Sequence, residues 1–357
     1  MTYYIGYGKK LSDLDRMFNL LVFSTPAKVQ PFLNQILRAQ LMYSDTRAFS
    51  NVLFFADSGA SDAYDPSDLF SKNTMEQLVI SATNTWHSKL TLILTQTSTK
   101  PLDTSGNHFD VYRRLAVATH GDLFVIDKTG ISELMTNVLN NYHNMENLAV
   151  RYKFNCTDMN NFDVPVEYNS SKTIRILLTV DKNDVEFDLP YLTDMNYTQL
   201  GVVSRAKYYS LYSLTTESTS IRVVSPTPGL VCSVRVFVDS NSAMLLSFTN
   251  NRQMDVGNFN MYKNIPQLAT GLPLGFSGFD YIEIRPFDPS TGFGLSVSTR
   301  AYKRAQDATY AYEFDNLSDC TAGPYIQQVQ LAYGNDVATR VLPGYCVLPG
   351  RLNYRSS

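Results

Sequence analysis

The chain has 357 residues, 44% hydrophobic and 18% charged, with a net charge of -3. That length suggests two or three domains, and that composition supplies sizeable cores and excludes wholesale disorder. No run of Lys or Arg extends beyond Lys9-Lys10, so the basic face a nucleic-acid partner needs is missing, and no apolar stretch approaches the roughly 20 residues of a membrane span.

The amino terminus, MTYYIGYGKKLSDLD, has no apolar core after a basic start and does not read as a signal peptide. Leu20-Leu21-Val22-Phe23 is a candidate strand. Phe32, Leu33, Ile36, Leu37 and Leu41 recur on one face of a helix predicted over 31–41. The apolar run Val52–Phe55 then reads as a buried strand that stops abruptly at Asp57-Ser58-Gly59-Ala60-Ser61-Asp62. It delivers acidic and hydroxyl groups to its carboxyl end, where open α/β sheets place ligands. Met75, Leu78, Val79 and Ala82 mark a helix over 73–83, and Leu90–Thr95 is the next strand. A helix over 111–119, with Leu115 and Ala118 inward, ends at Gly121. Leu123–Ile126 is a further strand, and Ile131, Leu134, Met135, Val138 and Leu139 line a helix over 131–140. Apolar strands separated by helices predict a doubly wound α/β domain over 1–148, short at its start.

After Asn147 the pattern becomes all-β. Thr173–Val180, Val185–Leu189, Thr219–Val223 and Leu230–Phe237 alternate, with Pro226, Pro228 and Gly229 as punctuation. This predicts a β-sandwich module over 149–253. Tyr281–Ile284, Gly294–Ser298, Tyr325–Leu331 and Arg340–Val347 repeat the texture and predict a second sandwich over 254–357, of immunoglobulin-like size.

The four cysteines, Cys156, Cys232, Cys320 and Cys346, all lie in this β part and form no C-x-x-C pair, which argues against zinc. They read as two disulfides, the local pairing being Cys156–Cys232 and Cys320–Cys346, with two other connectivities open and four buried thiols as the opposing reading. The sequons at Asn155, Asn169, Asn196 and Asn316 all fall in the same part and none precedes it. Together these signals predict a secreted glycoprotein whose signal peptide lies outside this chain.

Catalytic patterns are missing. His87, His108, His120 and His143 form no H-x-x-x-H, and there is no G-x-S-x-G, P-loop or G-x-G-x-x-G. His120, beside Gly121 at a helix end, reads as a satisfied capping histidine. Glu283 with Asp288, and Asp181 with Glu186, read as solvated strand faces rather than acid/base pairs.

The order SNVLFFADSGASDAYD, KLTLILTQT, FDVYRRLAVATHGDLFVIDKTGISELMTNVL resembles the back half of a von Willebrand factor A domain, and more narrowly the hemicentin type. TIRILLTV, VEFDLP and STSIRVVSPTPGLVCSVRVFV then resemble the module that follows the A domain in hemicentins. The resemblance runs from about residue 30 to about 285. It implies an A-type domain without its first strand, and a non-enzymatic extracellular-matrix or cell-surface adhesion protein that binds protein partners. Domains of this kind often hold Mg2+ through Asp-x-Ser-x-Ser, a middle-loop Thr and an Asp after the fourth strand. Asp57 takes the last position and Thr25 loosely the middle one, while no Asp-x-Ser-x-Ser occurs upstream. The likeness of Asp57-Ser58-Gly59-Ala60-Ser61 to that motif is then coincidence. A hard cation wants about six oxygens, so Mg2+ is expected only if the missing motif lies upstream of this chain; otherwise no cofactor is expected. A secreted carbohydrate-binding, lectin-like protein is the alternative; the lone Trp86 lies in the α/β part, away from the β modules that would host sugar. A hydrolase reading lacks a nucleophile and base.

Overall fold

Leu90–Leu94 forms the middle of a parallel sheet because every side chain of that apolar run finds a covered face. The computed structural model describes residues 31–42, 50–63, 75–97, 99–139, 147–156, 161–164, 173–180, 188–215, 219–240, 243–249, 260–262, 268–274, 279–287, 299–303, 310–313, 323–334 and 336–347. Strands β1 (Asn51–Ala56), β2 (Lys89–Gln96) and β3 (Leu123–Asp127) pair in parallel in the order β1-β2-β3. Helices α1 (Phe32–Met42), α2 (Met75–Thr85), α3 (Asn107–Ala118) and α4 (Ile131–Asn137) alternate with them. Leu90, Leu92 and Leu94 share one core with Phe32, Leu33, Ile36, Val79, Ile80, Phe109 and Tyr112 from α1, α2 and α3. Ile93 points the other way, into a core with Phe124, Ile126, and Leu134 and Met135 of α4.

Two helix faces differ from expectation. Leu41 is 68% exposed and Leu78 42% exposed, so neither belongs to the buried stripe. On α2 the buried face is instead partly polar, carrying Glu76, Thr83 and Asn84 beside Val79 and Ile80. Each polar group is satisfied: Arg114 of α3 donates to both Glu76 oxygens at 2.8 and 2.9 Å, Gln40 donates to Thr83 Oγ1 at 2.6 Å, and Asn84 donates to the Ala118 carbonyl at 2.9 Å. Buried polar groups with partners cost little, which is why hydrophobic spacing alone picked the wrong edge of this helix. Helix α3 also starts four residues before the predicted 111, bringing Phe109 into the core.

The second face of the parallel sheet meets β-structure. Strands β4 (Asn147–Asn155), β6 (Thr173–Val180), β8 (Val202–Arg205), β9 (Tyr209–Thr215) and β11 (Val231–Val238) form a sheet in the order β4-β11-β6-β9-β8. Strands β5 (Asn161–Val164), β7 (Tyr191–Thr193) and β10 (Thr219–Val224) form its partner, ordered β5-β10-β7. Ile176, Leu178, Cys232, Val234 and Val236 point between these sheets toward Leu192, Ile221 and Val223. Leu177, Tyr209, Leu211 and Phe237 point outward, into the core that contains Ile93 and Phe124. A strand covered on both faces reads as a continuous apolar run rather than an alternation, and Ile176-Leu177-Leu178 is one.

The remaining described strands form one eight-stranded sheet: β12 (Ala243–Thr249), β13 (Asn260–Tyr262), β14 (Leu268–Leu274), β15 (Tyr281–Phe287), β16 (Thr299–Lys303), β17 (Tyr310–Glu313), β18 (Gly323–Tyr333) and β19 (Asp336–Val347). Its order is β12-β14-β17-β16-β15-β18-β19-β13, antiparallel except for β13 on β19. β12 precedes residue 254 yet pairs with β14 in this last sheet. Met244, Phe248, Ile282, Ile284, Val329 and Cys346 share its core. Tyr345 and Val347 join the α1–α3 core and Val341 joins that of Ile93. Side chains of the last sheet thus pack into both cores of the α/β region. The expected strands Leu20–Phe23 and Gly294–Ser298 lie outside the described residues, as does 185–187 of the strand expected over Val185–Leu189, while Asp188 and Leu189 are not in a strand.

Candidate functional site

Parallel strands bring their carboxyl ends to one edge, so the loop after β1 lies beside those after β2 and β3. Asp57 follows β1 there, and its Oδ2 lies 3.3 Å from the ammonium of Lys128, one residue past β3. The pair is partly exposed, at 28% and 47% of the two side chains. The rest of the loop is strapped down. The Tyr112 hydroxyl donates to the Ser58 carbonyl at 3.1 Å, and Ala60 N–H donates to the His108 carbonyl at 3.0 Å. His108 Nδ1 lies 2.8 Å from the Ala60 carbonyl. Gly59 passes so close that a Cβ would stand 2.7 Å from that of His108. Asp62 accepts from Leu33 N–H at 3.2 Å and Asn34 N–H at 2.8 Å, capping the first turn of α1 from across the chain.

These groups set the local electrostatics. Burial pushes the Tyr112 phenol far up, and the charges of Asp62 and Asp57 push it further, so it stays a donor. Gln96, at the end of β2, donates to Asp127 at 3.3 Å and to the Tyr208 hydroxyl at 2.9 Å, and accepts from Leu102 N–H at 3.2 Å. Thr95 Oγ1 donates to the Ala56 carbonyl at 3.3 Å.

A divalent cation does not fit this set. Asp57 faces an ammonium, Asp62 caps a helix, and among the described residues no group of three or more His, Cys, Asp or Glu converges to hold a metal. Thr25, the other residue expected at this edge, lies outside the described residues. What the edge does present is a partly exposed ammonium–carboxylate pair on a hydrogen-bonded loop.

A second charged constellation joins the α/β region to the sandwich. Arg235 of β11 lies 2.6 Å from Asp122, both side chains at 5% exposure or less, and also donates to Thr179 Oγ1 at 3.1 Å. Arg151 of β4 donates to the Ala116 and Gly121 carbonyls at 3.3 and 3.1 Å. Helix α3 is therefore capped by an arginine from the next sheet. His120 is not the satisfied cap expected: its backbone takes φ 59°, and among the described residues its buried Nε2 has no hydrogen-bond partner. Burial first, then Lys89 and Arg151, hold this imidazole well below its ordinary range.

The other predicted positions are placed as follows. Cys156 and Cys232 form a disulfide with Cα atoms 5.5 Å apart, tying the end of β4 to β11 within one sheet. Cys346 is disulfide-bonded too, while its expected partner Cys320 lies outside the described residues. Asn155 and Asn196 are exposed; Asn169 and Asn316 lie outside the described residues. Glu283 pairs with Arg285 and Arg300, whereas Asp288, Asp181, Glu186 and His143 lie outside them. Asp62 was read only as part of the acidic loop after β1, and Lys128, Arg151 and Arg235 were not singled out from sequence. The Asp127-Lys128 pair at the end of β3 was the available signal for Lys128; the others depend on contacts distant in the chain.

The fold and this edge define a chain with a parallel α/β region followed by β-sandwich sheets. No family model matches it, and no curated protein matches it. Among solved structures, a DUF4785 family protein from Legionella pneumophila aligns with 9% identity and a TM-score of 0.31, covering 56% of this chain and 60% of that one. Beta-glucuronidase 3 of Bacteroides uniformis aligns at 10% and 0.20, covering 55% and 29%, and the glycoside hydrolase domain of Endo-D from Streptococcus pneumoniae at 8% and 0.18, covering 55% and 33%. The chain thus spans 60% or less of the length of each, and likenesses this distant carry no argument about fold or function.

Proposed function

We propose that the chain is an extracellular interaction protein without enzymatic activity, binding protein partners at a cell surface or in a matrix. The region of β1–β3 and α1–α4 is, in this reading, the back half of an A-type domain of the hemicentin kind. Its support is the parallel order β1-β2-β3 with helices between, and Asp57 at the carboxyl end of the first strand. The sandwich that follows corresponds to the hemicentin-type module, and the last sheet to a further β module. The observation that carries the reading is the Cys156–Cys232 disulfide within that sandwich, since such bonds form and persist in oxidising compartments. Among the described residues no helix is long and apolar enough to cross a membrane.

Where related domains place a metal, Lys128 supplies the positive charge opposite Asp57. Partner binding at this edge is therefore independent of divalent cations. Solid-phase binding of the secreted protein to purified matrix glycoproteins, with and without EDTA, tests both parts. Saturable binding that survives EDTA is expected. Binding to none of them sinks the adhesion reading, and binding lost in EDTA sinks the role given to Lys128.

A further inference from the structure

Between β7 and β8 the chain crosses from one sheet of the sandwich to the other, and this crossing carries an exposed apolar tip. Met195, 45% exposed, and Tyr197, 70%, form that tip, and beyond it, in the edge strand β8, Val202 and Val203 are 36% and 57% exposed. Apolar side chains on an edge strand invite pairing with another chain, and soluble proteins normally blunt such edges. Here the tip is tied by hydrogen bonds. Asp194 Oδ1 accepts from Asn196 N–H at 2.9 Å and Thr198 N–H at 2.8 Å, while Asp194 N–H donates to the Thr198 carbonyl at 3.0 Å. Tyr197 is held at φ 65°, a conformation uncommon for any residue but glycine. The Arg222 guanidinium stacks on its ring at 3.9 Å, so one face is supported and the residue's large exposure lies on the other.

The sequon Asn196-Tyr197-Thr198 sits at the centre of this tip, with Asn196 and Thr198 both exposed. We propose that an N-linked glycan on Asn196 is the occupant of the patch, covering Met195 and the open face of Tyr197 and shielding the β8 edge. This rests on the extracellular reading. In the step that attaches it, the Asn196 side-chain nitrogen bonds to the anomeric carbon of N-acetylglucosamine. The bond from that carbon to the phosphate oxygen of a lipid-diphosphate oligosaccharide breaks, the lipid diphosphate leaves with the electron pair, and the amide loses a proton. The apolar face of the first sugar then has an aromatic ring presented to it by a hydrogen-bonded turn. Glycans are bulky and solubilising, which is what an apolar edge needs.

The test uses the full chain secreted from cultured animal cells. Peptide mapping after glycosidase release in heavy-oxygen water reports which asparagines carried sugar. Light-scattering mass and binding of an apolar-surface dye compare wild type with Asn196→Gln and Thr198→Ala, two independent ways to remove the sequon. Asn196 is expected to be occupied, and both variants to show greater mass and dye binding, reversed by adding Val203→Lys. Sugar at other sequons with Asn196 bare overturns this inference alone, as do two variants that match wild type in mass and dye binding. A chain with every sequon bare and free thiols overturns the extracellular reading along with it.

Discussion

Gly121 stands where a Cβ would lie 2.0 Å from the Leu90 carbonyl oxygen and 2.6 Å from its carbon. Those atoms are backbone of the central strand and cannot yield as a side-chain tip can, so Gly121→Ala should destabilise by about 3 kcal/mol or more, read from urea unfolding. Next to it, burial and the charges of Lys89 and Arg151 depress the His120 imidazole below its ordinary 6.5. A base whose folded-state proton affinity is lowered contributes nothing against unfolding above 6.5 and penalises the fold below it. Stability should therefore be level above that value and fall as pH drops, by up to about 1.4 kcal/mol per pH unit for this group. His120→Gln should remove part of the slope, and half-buried His87, also lowered, accounts for another part. An unchanged slope in the variant would contradict this. Asp57 was legible from sequence because an apolar run pointed to its place. Its partner Lys128 was not, since their pairing depends on how β1 and β3 flank β2.

Helix α1 has no acid in its own first turn, and Asp62 supplies one from the loop after β1. Asp62→Ala should cost about 1 kcal/mol, as loss of a helix cap does. It should also speed amide exchange at Leu33 and Asn34 while leaving α4 unaffected; uniform acceleration would instead mean global loss of stability. At this scale the helices were legible from their apolar period and the parallel strands from their continuous apolar runs. The short strands β5, β7 and β8 carry too few residues for a period to appear. The buried face of α2 was hidden because Glu76, Thr83 and Asn84 are buried by virtue of partners on α1 and α3.

At the scale of the molecule, the α/β region and the sandwich share one core across Ile93, Phe124, Leu177 and Phe237, crossed by the Asp122–Arg235 pair. Arg235→Met alone removes this ion pair from a buried carboxylate and should cost about 3–5 kcal/mol, whereas Asp122→Leu with Arg235→Met should cost much less. Equal losses in the single and double variants would show that the pair is not coupled. No local pattern could reveal this joint, because arginine in a strand reads as a solvated position. The proposed function requires an oxidised, secreted chain. Its most direct test is non-reducing peptide mapping of protein secreted from animal cells and alkylated before digestion. A cross-linked Cys156–Cys232 peptide with neither residue alkylated is expected. Alkylated Cys156 and Cys232, with no cross-link recovered, would contradict it.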